Sequence, residues 1–105
     1  MKFVIITAVS SFFEDIKSVL KKSEVDTFSY TPVIGYKSVA NTPLDENWFT
    51  STQGEDQSVL FYAFVAEPMV NTIMNRIDDM NEREESRSHI HVAVLNIEET
   101  NKKEK

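Results

Sequence analysis

The chain contains no cysteine. That excludes disulfides, thiol nucleophiles and thiolate metal sites, and it fits a cytoplasmic protein. No apolar run approaches the roughly 20 residues needed to cross a bilayer. Met1 to Ile6 begins like a secretory leader, but the run breaks at Ser10 and Ser11, so the stretch reads as a first strand. Positive charge is also scarce. Eleven Lys and Arg stand against 17 Asp and Glu, giving a net charge of −6. The cations are scattered, which argues against duplex nucleic acid and against an anionic membrane surface as partners. Ser10, Ser11, Ser86 and Ser88 have no identifiable base and acid companions, and no other residue set forms a catalytic constellation, so the chain reads as a non-enzyme.

With 41% hydrophobic and 27% charged residues, the 105-residue chain has the composition of one folded domain. Residues 1–97 are expected to form it, with 98–105 a charged, mobile tail. The most informative stretch is 58–66. Val59, Phe61, Ala63 and Val65 share one parity, Leu60, Tyr62, Phe64 and Ala66 the other, and neither set is charged. A strand of this kind needs cover on both faces.

Around it the pattern predicts a first strand over 2–9. A helix follows to about Lys22, opened by a capping box of Ser11 and Glu14 and buried through Phe12, Ile16, Val19 and Leu20. A second strand is expected over about 25–36, with Pro32 marking an edge or bulge. Residues 37–57 read as one long loop carrying Trp48 and Phe49. Glu67 and Pro68 open a second helix with an apolar stripe of Val70, Ile73, Met74, Ile77 and Met80. Residues 81–88 read as a polar loop, and 89–97 as the last strand. The order strand, helix, strand, strand, helix, strand implies an α+β, ferredoxin-like βαββαβ sandwich: a four-stranded antiparallel sheet with both helices on one face. Two helices cannot cover two faces. The bare face is expected to be buried against copies of the same chain.

This layout resembles the PII-like signalling proteins over roughly residues 2–97. Val33-Ile34-Gly35-Tyr36 is similar to the segment at the base of that family's T-loop, and His89-Ile90-His91-Val92-Ala93-Val94 to its last strand. The resemblance implies a homotrimer with inward-facing sheets and small effectors, often adenine nucleotides, bound between subunits. It also implies a loop that docks on a partner protein such as a membrane transporter. Several positions depart from the family pattern. Residues 82–88 lack the glycines that wrap a phosphate and carry more acid than base. Lys37 stands at a glycine position, Glu98 and Glu99 stand at arginine positions, and the loop's modified tyrosine has no counterpart.

The effector cleft is expected to use Ser29, Thr31, Gly35, Lys37, Arg87 and His89, and the partner surface Trp48 and Phe49. His89 and His91, two apart, could share a strand face and hold a divalent metal ion. That would suit a CutA-like metal-binding protein on the same fold. A dimeric ferredoxin-like monooxygenase is the remaining alternative. No cofactor is demanded; an adenine nucleotide or a divalent metal ion is the candidate ligand.

Overall fold

The computed structural model describes residues 1–37, 54–83 and 89–101. Four strands, β1 (Lys2–Val9), β2 (Ser29–Lys37), β3 (Gly54–Val65) and β4 (His91–Asn96), form one antiparallel sheet in the order β2-β3-β1-β4. Two helices, α1 (Phe13–Lys22) and α2 (Glu67–Arg83), cover one face of it. This is the expected ferredoxin-like sandwich.

Parity decides the layers. Val59, Phe61, Ala63 and Val65 of β3 join Val4, Ile6 and Ala8 of β1 in the buried core, against Ile16, Val19 and Leu20 of α1 and Ile73 and Ile77 of α2. Phe61 is fully buried at the centre of an aromatic group, with ring centroids 5.6 Å from Phe13, 5.9 Å from Phe28 and 5.4 Å from Tyr30. The opposite parity makes the bare face. In register across it lie Phe64, Phe3 and Leu95, then Tyr62, Ile5 and Ala93, then Leu60, Thr7 and His91. Tyr62, Phe64 and Leu95 are 39%, 54% and 45% exposed. Phe3 packs its ring against both Tyr62 and Phe64, so the exposed residues form one continuous patch.

Several boundaries differ from the sequence pattern, each for a local reason. β1 runs straight into a 3-10 turn at Ser10–Phe12, which moves the N-cap of α1 onto Phe12; neither cap makes a side-chain hydrogen bond, so the Ser11–Glu14 capping box does not form. Residues 25–28 are not strand. Val25 instead closes α1 in a Schellman motif: its N–H bonds Leu20 O at 3.0 Å, and Glu24 N–H bonds Lys21 O at 3.1 Å. Glu24 takes the left-handed position of that motif, φ 64°. Pro32 does sit on an edge strand, as its missing donor requires.

The hairpin ladder continues to Lys37↔Gly54, so Lys37 and Gly54 to Gln57, read from sequence as loop, are strand. They escape the hydrophobic pattern because β1 pairs β3 only from Ser58 to Val65, leaving the ribbon beyond without a third strand among the described residues. α2 extends three residues into the stretch read as loop, through Asn81 to Arg83. β4 begins at His91 rather than His89, because the residue before it, Ile90, bonds the Asn81 side chain and not the ladder.

Candidate functional site

Ser29 and Thr31 lie on β2 with the parity of the bare face, opposite Tyr62 and Leu60, and both are exposed. Gly35 is buried within the projecting ribbon, opposite Asp56, and Lys37 ends β2 opposite Gly54. A cavity of about 530 Å³ opens where the ribbon leaves the sheet, walled by Pro32, Val33, Ile34, Gln57 and Ser10. A second, of about 250 Å³, lies between the 24–27 turn and the end of β3. The β2 edge thus offers recesses near both of its ends.

His89 and His91 belong to the other edge. Strands β3 and β1 separate β4 from β2, a span of about 14 Å at the usual strand spacing. One chain therefore does not bring the two halves of the expected effector site together. His89 precedes β4 and is exposed, whereas His91 is half-buried opposite Thr7, so strand alternation does not extend to the pair. Among the described residues no group of three or more histidines and carboxylates could hold a metal ion. Arg87, Trp48 and Phe49 lie outside the described residues.

Three polar side chains were not picked out by sequence pattern. Thr7 and Ser58 share the parity of the bare face, yet are only 3% and 1% exposed, and their hydroxyls have no hydrogen-bond partner among the described residues. The only hint is a hydroxyl residue inside an otherwise apolar strand. Asn81 was legible only as a polar residue near a helix end; its partner, nine residues away, carries no sequence signal.

Among the described residues no helix is long and apolar enough to cross a membrane. No family model and no curated protein matches the chain. Solved structures do. A DUF3240 family protein from Shewanella baltica aligns over 98% of this chain and 96% of its own, with 12% identity and a TM-score of 0.66. A putative PII-like signalling protein from Thermus thermophilus aligns over 91% and 85%, with 18% identity and a TM-score of 0.65. CPII, a nitrogen regulatory PII-like protein from Thiomonas intermedia bound to ADP, AMP and bicarbonate, aligns over 94% and 93%, with 13% identity and a TM-score of 0.61. The chain has the fold of the PII-like signalling proteins.

Proposed function

We propose that this chain is a non-catalytic, PII-like regulatory protein of the cytoplasm, acting as a homotrimer. The observation that carries the reading is the division of the candidate site. Ser29, Thr31 and Gly35 lie on β2 and His89 lies just before β4, and β2 and β4 are opposite edges of a sheet whose bare face is apolar. A ring of subunits packed through that face brings the β2 edge of one chain beside the β4 edge of the next, and the cleft between them gathers what one chain separates. Ser29, Thr31 and Lys37 come from one side, Arg87 and His89 from the other, with Gly35 allowing close approach of a ligand.

Tyr62, Phe64 and Leu95 are already about half covered, so burying the rest would contribute about 1 kcal/mol per side chain before the cost of association. The effector occupying the cleft would change the shape of the segment between β2 and β3, and Trp48 and Phe49 would anchor that segment on a partner protein, a transporter being the leading candidate. Adenosine monophosphate, adenosine diphosphate and bicarbonate lead the effector panel, since a structure of the same fold was solved with them.

The test combines mass measurement in solution with calorimetric titration of these three, adenosine triphosphate and divalent metal ions. A trimer that binds one panel member once per cleft supports the reading. A stable monomer at micromolar concentration, binding none of them, removes it.

A further inference from the structure

The two helices leave a groove between them, in the layer opposite the bare sheet face. It encloses about 340 Å³. Its rim takes Asp15, Ser18 and Lys22 from α1 and Arg76, Asp79 and Arg83 from α2. Both sets run i, i+3, i+7, so each occupies one face of its helix. β1 and β3 are antiparallel and each leads into its own helix, so the helices are antiparallel as well. Lys22 and Arg76 therefore share one end of the groove, and Asp15 and Arg83 the other.

Five charged side chains thus line one groove. Among the described residues they form no ion pair, although Asp79 and Arg83 stand in the favourable i, i+4 order. The Asp15–Arg83 end is balanced in charge. At the other end Lys22 and Arg76 lie on opposite walls of the groove, two cations in a chain of net charge −6, with Asp79 one turn along α2 from Arg76. Like charges placed together repel, and an anion between them removes the cost. Asp79 and Ser18 follow, offering an acceptor and a hydroxyl further along. Val19 and Met80 complete the lining with apolar surface.

We propose that this groove binds a small hydroxylated phosphate monoester. The guanidinium of Arg76 and the ammonium of Lys22 hold the phosphoryl oxygens, the guanidinium suiting a bidentate contact. Asp79 accepts from the ligand's hydroxyls, and its charge disfavours a longer polyphosphate. The volume is near the lower end of the range for small-molecule sites, roughly 300–1,000 Å³. That suits an ester the size of glycerol phosphate or a hexose phosphate. The site lies within one chain and does not depend on the assembly or on the cleft proposed above.

Calorimetric titration of the full chain at low salt with glycerol 3-phosphate, inorganic phosphate and glycerol tests this, with sedimentation on phosphatidic acid vesicles as the lipid-headgroup arm. Saturable binding of glycerol 3-phosphate is expected, weaker binding of inorganic phosphate, and none of glycerol. Arg76→Gln and Lys22→Gln should each weaken binding by about tenfold, while Arg83→Gln stays within about twofold. All three side chains are exposed, so the variants should fold, and circular dichroism verifies this. Vesicle binding that is lost in Arg76→Gln, without binding of the free ester, would support the same phosphoryl contact with a lipid headgroup as its source. No saturation of any phosphate carrier by about 10 mM, or unchanged binding in Arg76→Gln, overturns the proposal.

Discussion

Asn81 engages both backbone groups of Ile90. Its Nδ2 donates to Ile90 O at 2.9 Å, and Ile90 N–H donates to its Oδ1 at 2.9 Å. The side chain imitates a neighbouring strand just where β4 has not yet joined the sheet. It also pins the last turn of α2 to a residue only 3% exposed. Asn81→Ala leaves two partly buried backbone groups without partners and should cost about 2 kcal/mol in urea unfolding. Asn81→Asp keeps the acceptor for Ile90 N–H but sets a carboxylate oxygen against Ile90 O at the C-terminal end of α2, so it should be destabilised as well. Equal stability of all three proteins would show that the backbone groups find other partners.

Glu24 occupies a left-handed position that glycine fills without steric cost. Glu24→Gly should therefore raise stability by up to about 1 kcal/mol, despite the larger entropy of an unfolded glycine. A lower thermal midpoint for Glu24→Gly would mean that the glutamate side chain makes a contribution larger than its backbone strain.

Adjacent residues of β3 should respond oppositely to the same change. Phe61→Asp places an uncompensated charge in the core and should abolish folding. Tyr62→Asp lies on the bare face, so the chain should stay folded, with native circular dichroism, but leave the proposed trimer. Light scattering separates the two outcomes; a Tyr62→Asp protein that remains trimeric would place the subunit contact elsewhere.

Replacing residues 40–52 by a short glycine-containing turn should leave the thermal midpoint within a few degrees. The cut spares the Lys37↔Gly54 ladder, and loop closure costs only about 0.6 kcal/mol per doubling of length. Co-purification of a partner should be lost, and Trp48→Ala with Phe49→Ala should reproduce most of that loss. A trimmed chain that unfolds would assign the two aromatics to the core.

Adenosine triphosphate should bind more weakly than about 1 μM, because the 82–88 segment carries more acid than base and no glycine to bend around a triphosphate. Submicromolar affinity measured by calorimetry on the isolated protein would contradict this.

The sheet and both helices were legible in the sequence because burial imposes a period. The parity of Val59, Phe61, Ala63 and Val65 and the stripe of Ile16, Val19 and Leu20 are direct imprints of the core. What could not be read lies where backbone geometry outranks burial. The Schellman turn at Glu24 shortens β2 without altering the hydrophobicity of Val25. Glu55, Asp56 and Gln57 pair as strand although no hydrophobic pattern marks them. Ser11 has the right spacing for a cap but the wrong backbone, since the chain is already turning at Ser10. The candidate site is legible as residue types but not as an arrangement. Residue types singled out Ser29, Thr31 and His89 for the effector cleft, but only the strand order reveals that β2 and β4 lie on opposite edges.

The twelve residues of β3 form one uninterrupted strand, from Gly54 opposite Lys37 to the threshold of α2. Among the described strands, residues 54–57 of β3 pair with β2 alone, residues 58–62 lie between β2 and β1, and residues 63–65 pair with β1 alone. Such an element behaves as a lever whose fulcrum lies near Ser58, where the third strand takes hold. A displacement at Gly54 would be carried along about 36 Å of continuous strand to Val65, beside the start of α2.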